Sequence, residues 1–271
     1  MDTLRYDWQL SLEHPVFAQY SHHKKGESLC VADMHSAVHL GILVQGDTTG
    51  LYNGEIVKIT EGKLYLTAPW EPHKSIFSSE GNILLLISFC QEALDHSMLA
   101  CAQKIKNLFR LTPTRRHEIL NTLTLSPEYS KQIIELLKTP NSSLRELKLW
   151  HLVLGILIEI ASLDYFVDTE LDSNYTKLLP SLQNLSNKPL SVGEAAAFCN
   201  LSKSHFAHMF SKVFGMPFAQ YERLYRLRCA LTELNTKKNG LKEVAENWGF
   251  YDKSHFSKIC KKYLKNKSNK Q

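Results

Sequence analysis

Lys203-Ser204-His205-Phe206 returns fifty positions later as Lys253-Ser254-His255-Phe256. At the same offset Ala195 returns as Ala245, and Phe198, Met209 and Phe214 return as the apolar Trp248, Ile259 and Leu264. Each copy predicts a short helix, a turn and a second helix. The turns are Asn200-Leu201-Ser202 and Gly249-Phe250-Tyr251, and the second helices start at polar caps, Ser202 and Asp252. Any helical hairpin can give one such pattern; two at a fixed offset predict tandem helix-turn-helix motifs. Between them, Met216-Pro217-Phe218 opens an amphipathic helix carrying Tyr221, Leu224, Leu227, Ala230, Leu231 and Leu234. A rigid helix there would fix the spacing of the two motifs, and successive major grooves on one DNA face lie ~34 Å apart.

Charge follows the repeat. Residues 181–271 hold 16 Lys+Arg against 6 Asp+Glu, a net +10, whereas residues 1–180 hold 16 against 21, a net −5. A basic module joined to a mildly acidic one points to nucleic acid or another anionic surface. The chain has 271 residues, 44% hydrophobic and 22% charged, enough for two domains with real cores, which excludes wholesale disorder. The longest strongly apolar run, Leu152 to Ile158, falls far short of the ~20 residues of a membrane span. Asp2, Arg5 and Asp7 open a terminus with no secretory h-region, so a cytoplasmic location is expected. The six scattered cysteines contain no C-x-x-C pair, which fits reduced thiols.

The run from Ala196 to Leu234 and the segment Val244 to Lys258, with WGF at 248–250, resemble the AraC/XylS family of bacterial transcription regulators. The resemblance covers about residues 175–264. It implies that the first half of each recognition helix reaches a DNA groove: Ser204, Ala207 and His208 in one motif, Lys253, Ser254, Ser257 and Lys258 in the other. Ala207 offers only apolar contact, for instance to a thymine methyl. Lys203, Lys212 and Arg226 suit phosphate contacts or ion pairs better than base reading. Where the family closes its second motif with a Gly-x-x-Pro-x-x-Tyr-Arg segment, this chain runs from Tyr263-Leu264 into the basic tail 265–271. That tail is a candidate for backbone contact.

The acidic part reads as β structure from about 30 to 90. Val38 to Val44 is apolar, Asn53-Gly54 is a hairpin signal, Gly62 marks a turn, and Ile83 to Phe89 is a further strand. From about 93 the pattern turns helical. Ser126-Pro127 marks one start, and Ser143 is the expected cap of a segment running from Leu144 to Leu163. The apolar arc of that helix exceeds one core face; it is either buried between domains or forms a homodimer. The β region is similar to the cupin-like sensor domain of many family members. Asp33, His35 and His39 share one parity and hence one face of an extended strand, and His73 follows a second strand. Cupin metal sites resemble this layout, with Asp33 replacing the usual first His and His39 the usual Glu. Three imidazoles and one carboxylate suit one divalent transition metal, Zn, Ni, Fe or Mn; ordinary hydrogen-bonded histidines are the alternative.

The expected fold class is therefore α+β: a cupin-like β domain at 1–92, a helical linker or dimerisation segment at 93–170, and a tandem helix-turn-helix domain at 175–271. The expected function is a sequence-specific DNA-binding regulator controlled by a small molecule or metal. Its partners would be double-stranded DNA and the transcription machinery, with no membrane. A cupin-type metalloenzyme with a DNA-binding appendage is the alternative. An enzyme would need a poised acid or base beside the metal, and none is evident in the sequence.

Overall fold

A computed structural model describes residues 10–28, 32–98, 101–165, 169–236 and 240–265. They form an α+β protein of two compact units, one spanning Trp8–Ser28 and His35–Asp172, the other made of Ser173–Gln271 with Met1–Asp7 and Leu29–Met34. The helices expected as a separate segment at 93–170 share the first unit with the strands.

In the first unit β1 (Val16–His23), β2 (Val38–Gln45), β5 (Leu64–Thr67) and β7 (Asn82–Phe89) form an antiparallel sheet in the order β1-β7-β2-β5. β3 (Asp47–Tyr52), β4 (Glu55–Thr60) and β6 (His73–Phe77) form a second, ordered β4-β3-β6. The Asn53-Gly54 hairpin joins β3 to β4, with both turn residues at positive φ, 48° and 85°. Strand β1 starts well before residue 30, where the sequence placed the first strand; it pairs with β7, Val16 opposite Phe89.

Strand alternation gives the four-stranded sheet two different faces. Val38, Leu40, Ile42, Leu85, Ile87 and Phe89 join a core with α2 (Ala102–Phe109) and α5 (Ser143–Ala161). Leu43, Tyr65 and Leu84 face the other way, into a second cluster with Tyr52, Val57, Ile59 and Phe77 of the three-stranded sheet. Helix α1 (Gln91–Met98) follows β7 directly. Helices α3 (Pro113–Asn121) and α4 (Pro127–Leu137) each begin with Pro after a capping hydroxyl, Thr112 and Ser126. Ser142, one residue before the expected Ser143, caps α5 by accepting from the Arg145 amide.

From Ser173 onward the second unit is helical among its described residues, with most of α6 (Thr169–Gln183) followed by α7 (Val192–Phe198), α8 (Lys203–Phe214), α9 (Phe218–Thr236), α10 (Leu241–Asn247) and α11 (Lys253–Lys265). Ser191 and Glu194 form a reciprocal capping box on α7. Gly215, left-handed at φ 66°, stops α8 before α9. Among the described residues no helix is long and apolar enough to cross a membrane.

Candidate nucleic-acid interface and histidine group

Helices α8 and α11 each bury one side and display the other. Phe206, Met209, Phe210 and Phe214 of α8, and Phe256 and Cys260 of α11, are buried. Lys203, Ser204, His208 and Lys212 are exposed on α8, with Ala207 half-buried beside them. Lys253, Ser254 and Lys258 are exposed on α11, with Ser257 half-buried. Each helix is anchored at its first turn: Ser202 Oγ accepts from the His205 amide at 3.3 Å, and Asp252 Oδ1 from the His255 amide at 2.6 Å. Two equivalent stripes thus carry unequal side chains. Lys261, exposed one turn beyond Lys258, extends the second stripe. The sequence reading passed over it although its helical spacing from Ser257 and Lys258 was legible.

The repeat is not a uniform offset of 50. The bond from the Leu201 amide to the Ala196 carbonyl corresponds to that from Phe250 to Ala245, an offset of 49. Lys203 and Lys253, which start α8 and α11, remain 50 apart. Ala245 therefore matches Ala196 rather than Ala195, and the second turn is one residue longer. Tyr251 is the added residue and is 90% exposed at the entrance to α11.

Of the two roles the sequence leaves open for Arg226, phosphate contact or ion pair, the structure shows the ion pair, with Glu222. Its side chain is 8% exposed and cannot serve as a phosphate contact. Its Nε and Nη2 donate to the two carboxylate oxygens of Glu222 at 2.5 and 3.2 Å, and Nη1 donates to the carbonyls of Trp248 and Gly249 at 2.7 and 3.2 Å. The guanidinium also lies 5.1 Å from the Phe250 ring centre. Glu222 accepts from the Leu190 amide, and the Trp248 indole donates to Glu233 at 2.7 Å. One face of α9 thereby fixes the turn that presents α11. The basic tail from 266 onward lies outside the described residues.

In the first unit the structure brings His35, His39 and His73 together, whereas Asp33 belongs to the other unit. One nitrogen from each of the three buried imidazoles lies within 4.8 Å of the others. Ring centres are 4.0 Å apart for His35–His39, 5.2 Å for His35–His73 and 5.1 Å for His39–His73. The shared-parity argument holds only for His39, because β2 begins at Val38; His35 lies before the bend that leads into the strand. Asp33 instead pairs with Arg228, Oδ1 to Nε 3.5 Å, and its Oδ1 accepts from the Met34 amide.

Two of the rings have their proton placement fixed. Nδ1 of His35 lies 3.0 Å from the Ala37 carbonyl oxygen, and Nδ1 of His73 lies 2.7 Å from that of Glu71. A carbonyl can only accept, so each Nδ1 donates, and in the neutral ring the lone pair then sits on Nε2, the arrangement a metal-ligating imidazole needs. Tyr52 lies nearly parallel to His73, and burial pushes the phenols of Tyr52 and Tyr65 well above their ordinary range, so both stay neutral. Gly41 accommodates this packing, since a Cβ there would sit 2.1 Å from the Tyr65 ring.

A family model described as "Helix-turn-helix domain" matches residues 195–267. The transcriptional activator AarP of Providencia stuartii is 33% identical over 81 residues, which cover 30% of this chain and 59% of that protein. ToxT of Vibrio cholerae has a similar fold: 11% identity, TM-score 0.59, covering 91% of this chain and 94% of that one. A second ToxT structure, with an unsaturated fatty acid bound, has 11% identity and TM-score 0.56, covering 92% and 91%.

Proposed function

We propose, from the premise that residues 195–267 are an AraC-family helix-turn-helix domain, that this chain is a sequence-specific DNA-binding transcription regulator with an effector site in its β domain. The observation carrying the reading is the pair of capped recognition helices with exposed polar stripes, set in a segment of net charge +10. Because the stripes differ, the two motifs read unequal half-sites and one chain covers a non-palindromic sequence. The test is selection of duplexes from a randomised pool by the full chain, followed by Lys258→Ala. The variant should bind the selected site more weakly, with a shallower salt dependence if Lys258 meets a phosphate, or relaxed preference by ~1–3 kcal/mol at one base pair if it meets a guanine. No enrichment over random competitor would defeat the reading.

The effector reading centres on His35, His39 and His73. Three imidazoles suit Zn²⁺, Ni²⁺, Fe²⁺ or Mn²⁺, and an ion held there would tie the loop before β2 to the start of β6. A small organic effector is the competing occupant, given that ToxT has been solved with an unsaturated fatty acid. Elemental analysis of untagged protein, beside His35→Ala/His73→Ala, separates the two.

A homodimer through α5 completes the reading. Leu149, Val153, Ile156, Leu157 and Ile160 are buried on one side, while Leu144, Leu147 and Ile158 are 60%, 64% and 59% exposed. Leu144, His151 and Ile158 lie seven apart, as do Leu147 and Leu154, which is the repeat of a coiled-coil seam.

A further inference from the structure

The histidine group is supported from behind by a buried ion pair that its own residues do not account for. Arg116 of α3 is 2% exposed, and its Nη2 donates to Glu71 Oε2 at 2.6 Å, while Nη1 donates to the Leu66 carbonyl at 2.8 Å. Glu71, equally buried, also accepts from the Ala68 amide. Its carbonyl is the one that receives the His73 Nδ1 proton at 2.7 Å, and the neighbouring Trp70 amide donates to the His35 carbonyl at 2.5 Å. The loop from Ala68 to Pro72 thus touches two of the three histidines through its backbone and α3 through one carboxylate.

This loop does not hold its shape unaided. Trp70 sits at φ +65°, a left-handed conformation that costs a bulky side chain on the order of 1–2 kcal/mol. Glu71 Oε1 and Arg116 Nε are buried without a hydrogen-bond partner. A buried ion pair with unmet polar atoms is a poor source of stability, and holding one geometry is what such pairs do best.

We propose that Arg116 and Glu71 are positioning residues of the histidine group, and that a divalent ion bound there tightens α3 against the sheet through them. The proposal rests on the metal reading of His35, His39 and His73. Arg116 holds Glu71, Glu71 sets the acceptor for His73, and His73 then presents Nε2. Linkage makes the effect reciprocal: if the pair favours ion binding, the ion favours the pair, and with it the docking of α3. The ion's presence is thereby expressed in a helix that supplies none of its ligands.

The experiment uses the untagged, metal-stripped full chain with Zn²⁺ or Ni²⁺ alone as probe. Calorimetry gives the dissociation constant for wild type, Arg116→Met, Arg116→Lys and Glu71→Gln. Hydrogen exchange over residues 113–121 is followed with and without ion. Wild type should bind one ion and slow its α3 exchange. Glu71→Gln and Arg116→Met should weaken binding ~10–100-fold, the usual penalty for losing an outer partner of a ligand. Arg116→Lys should recover part of the loss, and Arg115→Met, on the exposed side of α3, should match wild type. If Arg116→Met does not fold, Glu71→Gln, which keeps the shape of the loop, carries the comparison. Ion binding by wild type with Glu71→Gln and Arg116→Lys within twofold of it, and no change in α3 exchange, would overturn this proposal alone. No ion binding by wild type would overturn the metal reading and this proposal with it.

Discussion

Replacing Arg226 with Ala discriminates between the two roles open to a basic residue in a DNA-binding domain. The structure gives Arg226 four hydrogen bonds inside the protein, two to Glu222 and two to the carbonyls that end α10. Truncation leaves the Glu222 carboxylate buried without its counter-charge and strips both carbonyls of a donor. Breaking a buried pair from one side costs ~3–5 kcal/mol, roughly two to three and a half orders of magnitude in the folding equilibrium. That is a large share of the ~5–15 kcal/mol that holds a domain together. Urea titration, with hydrogen exchange over residues 241–247 to localise the loss, should show it. Glu222→Gln combined with Arg226→Met should be milder than the sum of the single changes, because the stranded charge is gone. The salt slope of DNA affinity, measured where the variant remains folded, should not change. Destabilisation under ~1 kcal/mol together with a slope reduced by ~1 would refute the reasoning and return Arg226 to a phosphate.

Tyr251→Ala should leave the thermal midpoint unchanged, since the side chain is 90% exposed, yet lower affinity for the selected duplex ~3–10-fold through loss of one hydrogen bond or sugar contact; equal affinity would place the added turn residue off the DNA. Gly41→Ala should destabilise the β domain by ~1–3 kcal/mol, because its Cβ would meet the Tyr65 ring at 2.1 Å; a neutral result in denaturant would mean that the ring has room to move. Leu144→Glu with Leu147→Glu should convert a dimer to a folded monomer in sedimentation analysis, and a monomeric wild type would remove α5 as an interface.

The C-terminal domain was legible because its signals are local. The caps at Ser202 and Asp252 and the apolar spacing of Phe206 and Phe214 are each read within a few residues. The one-residue difference between the turns was hidden, because the identical Lys-Ser-His-Phe blocks fixed the alignment while the helices before them had shifted. For Arg226 the sequence left phosphate contact and ion pair both open, because only its neighbours in space, Glu222 foremost, decide between them.

The β domain shows the opposite balance. Sequence alone determined which residue types were available to a site, three histidines within reach of strand starts and turns, and it named all three. It included Asp33 as well, because parity along an imagined strand could not reveal that the strand starts only at Val38. Nor could it reveal Arg116 and Glu71, 45 residues apart and meeting only when α3 packs on the sheet. Local periodicity and capping decide which elements form, since their energies depend on neighbours a few residues away. Which charge is buried against which, and which carbonyl orients which imidazole, depends on contacts between distant segments, and only the tertiary structure decides those.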